Sequence, residues 1–307
     1  SESARSDDAR ADSGAIRPKP RGIDARRLLV TVALPIACAM LVLGTFAFAQ
    51  SEERTLVLTS ALVAAAAGFA ASSIGVYGGV LVPGLLLLGV DARFSAAVSM
   101  FLQVLVIPLG AGAHVRLGNV RKHVAVPLIV GGMAGSFTGP FLAASLPKDV
   151  VGRVVAGVIV AVGVLVLATL RWGGIRESRP VEEVSRARIG SVGLVAGLAS
   201  GISGAGWGPI GVKLLILLRI EPREAIGSSL LGRVFMAATA VIAYALGAAA
   251  SNELKVDWWL LLPLFAGSLA TIVPGVYLVS SMKRERAVVV ITLISIALAL
   301  PVLLRGT

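Results

Sequence analysis

The hydrophobic and polar positions of this chain form long apolar blocks separated by short polar segments. The block over residues 28–49 contains no charged residue, and an apolar run of about 18 residues or more is typical of a transmembrane helix. It also exceeds the apolar core of about 7–15 residues that marks a signal peptide. We therefore predict an extra transmembrane helix over residues 28–50, preceded by a polar, disordered, cytoplasmic segment over residues 1–27.

The rest of the chain consists of two similar halves, residues 56–172 and 189–305, joined by a polar cytoplasmic linker over residues 173–188. Each half opens with a glycine-interrupted apolar stretch, AGFAASSIGVYGG in the first and AGLASGISGAGWG in the second. When the two stretches are aligned, three glycine pairs coincide: Gly68 with Gly197, Gly75 with Gly204, and Gly79 with Gly208. Three uninterrupted apolar blocks follow each opening, and they predict helices over residues 94–115, 124–146 and 151–170, then 225–249, 258–281 and 287–304.

The distribution of Lys and Arg indicates how the opening stretches cross the membrane. The net charge is +11, and the cations lie between apolar blocks, as the positive-inside rule expects of cytoplasmic loops. If each opening is a hairpin broken at SSIGVYGG or SGISGAGWG, the outer loops keep only Arg54, Arg93, Lys148 and Lys255. A hairpin followed by three helices makes an odd number of crossings, so the second half then starts on the opposite side of the membrane.

These patterns predict an all-α integral membrane protein of the cytoplasmic membrane, with a cytoplasmic N-terminus. Its fold comprises two inverted repeats, each a glycine-broken helical hairpin plus three transmembrane helices, and the extra N-terminal helix. The composition agrees, because 15% of residues are charged against about 25% in a soluble domain. The lone Cys38 allows no internal disulfide. The predicted partners are the lipid bilayer and a small substrate rather than nucleic acid, and the oligomeric state stays open.

The broken helices are the first candidate for a substrate site. Glycine lets a ligand approach the main chain, and helix ends within a membrane leave N–H groups that an anion can satisfy. Pro209, just after the second cluster, suits a first helical position. Close helix packing is the alternative, which we favour for the scattered Gly131, Gly132 and Gly135. The candidates from the two clusters are Ser72, Ser73, Gly75, Gly78, Gly79, Gly201, Ser203, Gly204, Gly206 and Gly208.

Polar residues within the predicted helices extend this candidate site. Arg233 lies well inside its helix, in SSLLGRVFMAA, and Gln103 is its counterpart in the first half. A buried cation is expensive within a membrane and usually faces a cavity or a partner. Snorkelling to the interface is the alternative, above all for Lys213, which lies closer to a loop. Ser99 and Ser229 precede Gln103 and Arg233 by one helical turn, on the same face.

The predicted helix interiors contain no Asp or Glu. Cation transporters and proton pumps usually keep an intramembrane carboxylate, so intramembrane cations without one favour a small anionic substrate. Residues 201–204 match the GxSG of rhomboid-like proteases, but His114 and His123 precede Ser203, whereas those enzymes place their histidine base after the serine. We therefore predict no enzyme, and no cofactor, because Walker, HExxH and paired-cysteine motifs do not occur.

The same segments resemble the sulfite exporter TauE/SafE family. The resemblance covers residues 56–304 and rests on the duplicated glycine-rich opening, the following leucine run, and the pairs SAAVS with IGSS and GGMAGSFTGPFLA with AGSLATIVPGVYL. It implies a secondary transporter that exports sulfite, sulfonates or related small oxyanions. A non-transporting membrane scaffold or assembly factor is the alternative, and the coupling ion stays open.

Overall fold

A computed structural model describes residues 25–51, 53–74, 76–116, 118–172, 180–251, 258–279 and 284–305. Within these ranges the chain is helical, and no strand occurs. The α-helices are α1 (Ala25–Phe48), α2 (Glu53–Ile74), α3 (Gly78–Leu87), α4 (Ala92–Arg116), α5 (Lys122–Ser145), α6 (Lys148–Trp172), α7 (Arg186–Ser203), α8 (Lys213–Leu217), α9 (Pro222–Ser251), α10 (Trp258–Val279) and α11 (Arg284–Arg305). The prediction of an all-α protein is therefore confirmed.

Several helices have the length and composition needed to cross a membrane. Four long apolar segments lie in α2, α5, α6 and α9, at Glu53–Ala71, Lys122–Ser145, Val150–Ala168 and Arg223–Gly247. Shorter apolar segments occur at Val32–Phe48, Gly78–Leu87, Ala92–Pro108, Leu260–Thr271 and Thr292–Leu304. Large apolar side chains such as Leu62 and Val130 point outward, 71% and 64% exposed. A surface of this kind is stable only in contact with lipid, so the chain is a multi-pass membrane protein.

The predicted disordered segment and the predicted linker fall largely outside the described residues. Of the linker, the structure describes a 3₁₀ turn at Val181–Glu183, and α7 begins at Arg186, slightly before residue 189, at which we place the start of the second half. In the neighbouring α4–α5 loop, the Arg121 side chain pairs with Glu224 of α9. The Glu224 carboxylate raises the pKa of the Arg121 guanidinium.

Both glycine clusters interrupt a helix, as predicted. In the first half, α2 ends at Ile74 and α3 begins at Gly78. In the second half, α7 ends at Ser203, and Gly204 adopts the left-handed conformation, with φ of 67°, that commonly terminates helices. The chain resumes as a π-helical turn at Trp207–Val212 that continues into α8. The prediction that Pro209 opens this helix is wrong: the helical segment begins earlier, at Trp207, whose buried ring anchors it.

Equivalent helices of the two halves pack on each other in equivalent ways. The opening helix of each half packs on the fourth helical element of the other: α2 lies on α10, and α7 lies on α5. The corresponding helices α4 and α9 pack on each other, and so do α6 and α11. This reciprocal arrangement places both glycine interruptions between the halves.

Glycines form the interface between α5 and α7. A Cβ atom added at Gly197 would overlap the carbonyl oxygen of Gly132 and lie 2.9 Å from the Cα of Gly132. A Cβ atom added at Gly131 would overlap the carbonyl oxygen of Gly190, and one at Gly135 would overlap that of Leu194. The helix-packing interpretation of Gly131, Gly132 and Gly135 is therefore confirmed, because only glycine allows backbones to approach this closely.

We expect Gly197→Val to destabilise the protein by separating α5 from α7. Overpacking of this kind costs about 1–3 kcal/mol, which a lowered melting temperature of the purified protein in detergent would report. Gly44→Val on α1 is the matched control, because nothing lies within 4 Å of a Cβ at Gly44. Equal melting temperatures for the two variants would contradict the packing described here.

Candidate functional site

The two glycine interruptions lie against each other. A Cβ atom added at Gly78 would overlap the carbonyl oxygen of Gly204 and lie 2.9 Å from the Cα of Ala205. Gly204 in turn lies on α4, since its own Cβ position is 2.7 Å from the Cα of Ala96. The first and second halves therefore meet backbone to backbone at these loops, which we call loop 1 (residues 76–79) and loop 2 (residues 204–208).

A small cavity of about 20 Å³ opens beside the loops. This volume holds roughly one water molecule. Loop 1 supplies Val76 and Gly79, and loop 2 supplies Ala205 and Gly206. The remaining lining comes from the last helix of each half: Ile159, Val162, Gly163 and Val166 of α6, and Thr292 and Ser295 of α11. The cavity thus lies between equivalent elements of the two halves.

One fully buried aromatic residue fixes each loop. Tyr77 of loop 1 is 1% exposed, and its hydroxyl lies 2.6 Å from the Ser268 hydroxyl of α10. Because Ser268 donates to the carbonyl oxygen of Leu264, Tyr77 is the donor in this bond. Trp207 of loop 2 is also 1% exposed, and its Nε1 donates to the carbonyl oxygen of Ser229 at 2.9 Å. Each loop is therefore anchored to a helix of the second half.

A buried hydrogen-bond chain holds the carbonyl oxygen of Gly204. The Ser99 hydroxyl donates to it at 2.8 Å, and Gln103 Nε2 donates to it at 3.2 Å. Arg233 Nε then donates to Gln103 Oε1 at 2.7 Å. Gln103 is 1% exposed and Arg233 is 3% exposed. The amide of Gln103 therefore bonds on both sides: Arg233 holds its oxygen, and its nitrogen also donates to the hydroxyl and the carbonyl oxygen of Ser99, each at 3.0 Å. Arg233 and Ser99 together orient Gln103 toward loop 2. We call Ser99, Gln103 and Arg233 the loop 2 clamp.

The other candidates occupy different positions around loop 2. Ser203 bonds only locally among the described contacts, donating to the carbonyl oxygen of Ala199 at 2.6 Å and accepting from the amide of Ala205 at 3.1 Å. Gly201 packs on α5, with its Cβ position 2.9 Å from the carbonyl oxygen of Ser136. Its carbonyl oxygen accepts from the Tyr244 hydroxyl. The Ser203 hydroxyl thus bonds backbone groups at the end of α7.

The remaining candidates lie on elements next to the cavity without forming its described lining. Ser229 contributes its carbonyl to Trp207, while Gly208 and the half-buried Lys213 follow within the π-helical turn and α8. Ser72 and Ser73 lie in the last turn of α2, and their side chains are outside the described part of the structure, as is Gly75. Of the sequence candidates, Gly79 and Gly206 line the cavity, and Gly78 and Gly204 form the contact between loops.

Sequence reasoning missed four residues that build this site. Tyr77 and Trp207 resemble ordinary apolar positions in the sequence. One aromatic residue within each glycine cluster is nevertheless a pattern from which a buried anchor can be predicted. Thr292 and Ser295 lie in the apolar run ITLISIALAL, one turn apart. Hydroxyl groups on such helices usually bond their own backbone, so only the packing of α11 against loop 1 identifies them as lining residues.

Most of this chain is similar in sequence to known proteins. The model of the family described as "Sulfite exporter TauE/SafE" matches residues 60–302. The probable membrane transporter protein YtnM of Bacillus subtilis (strain 168) is 25% identical over 201 residues, which cover 64% of this chain and 66% of YtnM. The probable membrane transporter protein YdhB of the same organism is 31% identical over 166 residues, covering 52% of this chain and 64% of YdhB.

The matched segments span about two thirds of the length of these two relatives. No solved structure matches the chain. The family match begins at Ser60 in α2 and ends at Val302 in α11, so it includes both loops, the loop 2 clamp and every described lining residue of the cavity. The chain therefore belongs to the sulfite exporter TauE/SafE family, as its duplicated glycine-rich openings predicted.

Proposed function

We propose that this protein is a secondary transporter that exports a small oxyanion, such as sulfite or an organosulfonate, across the cytoplasmic membrane. Family membership and the printed names of the relatives support a transporter. The observation that carries the proposal is the cavity between loop 1 and loop 2, because it is built by broken helices from both halves. Transporters bind substrates at such interruptions between repeats.

The chemistry of the site suits an anion. Gly78 begins α3, and the first N–H groups of a helix have no partner within the helix and carry partial positive charge. Gly79 lines the cavity, and its lack of a side chain leaves the backbone at the start of this helix open to it. Thr292 and Ser295 add hydroxyl groups on the opposite wall, 5% and 4% exposed. A bound oxyanion would accept hydrogen bonds from both walls.

The proposed mechanism is alternating access between two inverted repeats, and the reciprocal packing of the two halves supports it. The distribution of Lys and Arg supports a cytoplasmic N-terminus. A cavity of about 20 Å³ is too small for an oxyanion with several heavy atoms, since it holds about one water molecule. We therefore propose that the cavity widens when the substrate binds. Admission of the anion requires α6 and α11 to move away from the loops, first on one side of the membrane and then on the other.

Within this mechanism, the loop 2 clamp positions the substrate site. Arg233 orients Gln103, and Gln103 together with Ser99 fixes the carbonyl oxygen of Gly204. This oxygen is held by side chains of α4, and Gly204 does not belong to the described lining, whereas the neighbouring Ala205 and Gly206 do. We also propose that Arg233 contacts the anion directly during transport.

Flux measurements in proteoliposomes test the proposed function. We expect the purified full chain to release sulfite and methanesulfonate faster than protein-free liposomes, with saturation at high substrate concentration. Parallel measurements with and without a pH gradient identify proton coupling. Flux at the protein-free level for every anion, from protein that is folded and inserted, would contradict the proposal and favour a non-transporting scaffold.

A further inference from the structure

One helix contact departs from the equivalent packing of the two halves. The sequence alignment of the halves makes α10 the equivalent of α5, and α4 the equivalent of α9. Helix α5 packs along α9, whereas α10 and α4 make only marginal contact between their described residues. By contrast, α5 packs on α7 much as α10 packs on α2. The α5–α9 interface is therefore the place at which the halves differ in arrangement.

Polar contacts close one end of the α5–α9 interface. Arg121, the residue before α5, pairs through its guanidinium with the Glu224 carboxylate on the first turn of α9. The backbone amide of Arg121 donates to the Ser228 hydroxyl at 3.1 Å. A Cβ atom added at Gly227 would overlap the carbonyl oxygen of Asn119. We call the pair of Arg121 and Glu224 the α9 latch, and the topology proposed above places it at the cytoplasmic face.

The α9 latch is suited to breaking and forming again. The Arg121 side chain is 59% exposed, and that of Glu224 is 11% exposed. An ion pair with one exposed partner adds little to stability, so water can replace it at small cost. The position of α4 equivalent to Glu224 is Phe94, which cannot form an ion pair. A latch of this chemistry therefore belongs to one end of the molecule.

We propose that α5 and α9 separate when the substrate site opens to the cytoplasm, and that the α9 latch holds them together when the site is closed on that side. The inference rests on the proposed function, because it takes the two halves as inverted repeats that move against each other. If the halves exchange their arrangements, α10 packs on α4 while α5 leaves α9. The α5–α7 and α2–α10 interfaces, which are packed in both halves, stay closed throughout.

Reversible crosslinking of the α9 latch tests this proposal. In a Cys38→Ser background, the double variant Arg121→Cys/Glu224→Cys is treated with a bifunctional methanethiosulfonate, whose short spacer replaces the two long side chains. We expect the crosslink to lower methanesulfonate flux in proteoliposomes by at least about tenfold, because a gate that cannot open limits every cycle. Dithiothreitol should restore the flux of the same sample to its value before crosslinking.

The matched control is a crosslink across α5 and α7, which also belong to different halves. Arg186 Nε lies 3.4 Å from His123 Nδ1, so His123→Cys/Arg186→Cys accepts the same reagent in the same background. Glycines hold these two helices backbone to backbone, and we expect the crosslinked control to transport as fast as its reduced form.

A second cysteine pair keeps the test available if the latch variant does not fold. Asn119→Cys/Arg223→Cys leaves the ion pair intact and joins the same two elements, because Arg223 precedes Gly227 by one helical turn and Gly227 contacts Asn119. We expect the same reversible loss of flux. Failure of both pairs to crosslink would overturn the inference, since the α9 latch would then not form.

Unchanged flux after crosslinking of the latch would also overturn the inference. The difference between the halves would then be fixed by sequence, since Leu102 of α4 stands at the position equivalent to Gly232 of α9. Equal loss of flux in the α5–α7 control would overturn it as well, because the α5–α9 interface would not be distinguished. Absence of flux from the unmodified protein for every anion would instead contradict the proposed function.

Discussion

Arg233→Gln is expected to lower oxyanion flux per folded molecule by about tenfold or more. Arg233 Nε donates to Gln103 Oε1 in a fully buried contact, and a hydrogen bond from a charged donor is worth about 1.5–3 kcal/mol. The shorter glutamine side chain does not restore this contact without movement of α9. Gln103 Oε1 then loses this donor, and the bonds of Nε2 to Ser99 and to the carbonyl oxygen of Gly204 alone hold the side chain less firmly against loop 2.

Arg233→Lys is expected to retain part of the flux, because the cation remains but the planar fork of the guanidinium is lost. Arg188→Gln, an exposed arginine on α7, is the matched control and should transport normally. The double variant Arg233→Gln/Gln103→Leu separates positioning from direct contact with the anion. If Arg233 acts only through Gln103, the double variant loses no more flux than Gln103→Leu alone.

Flux must be divided by the amount of folded, reconstituted protein, and the melting temperature measured on the same preparation. The account of the clamp would be wrong if Arg233→Gln lowered the melting temperature and left the normalised flux unchanged. That result would assign Arg233 to stability alone.

Gly78→Ala is expected to abolish most transport, because it separates the two loops. The added Cβ atom would overlap the carbonyl oxygen of Gly204, which belongs to the backbone and is fixed by Ser99 and Gln103. A displacement of about 1 Å at a site of this kind reduces activity by roughly tenfold to a hundredfold. Flux in proteoliposomes and the melting temperature measure the two consequences separately.

Gly112→Ala on α4 controls for the chemical change, since nothing lies within 4 Å of a Cβ at this position. We expect it to transport normally and to keep its stability within about 0.5 kcal/mol. Normal flux in Gly78→Ala would mean that contact between loop 1 and loop 2 is not required for transport.

The helical interruptions were predictable because they depend on local chemistry. Glycine runs inside apolar blocks mark the end of α2 and of α7 to within a few residues. The glycines of the α5–α7 interface were also predictable, since small residues at helical spacing favour packing within a membrane. The repeat alignment placed Gln103 and Arg233 at equivalent positions, and the structure brings these two side chains together.

The cavity wall was not predictable from local pattern. Thr292 and Ser295 carry a signal only when α11 is known to pack on loop 1 and α6. The sequence also did not show that Ser203 is engaged locally, because its hydroxyl bonds the backbone of Ala199 and Ala205 at the helix end. Likewise, the π-helical start at Trp207 depends on a ring buried between α5 and α9, where it contacts Gly132 and Gly232.

The central claim is that both loops form one substrate site, and anion protection of introduced cysteines tests it most directly. In a Cys38→Ser background, Val76→Cys reports on loop 1 and Ala205→Cys reports on loop 2, both within the lining. Ser185→Cys, exposed before α7, is the control that a sulfonate-bearing thiol reagent should label without protection. The account predicts that methanesulfonate slows labelling of Val76→Cys and Ala205→Cys with the same half-maximal concentration. Protection of only one of these positions, or of neither while flux persists, would contradict a site shared by the two loops.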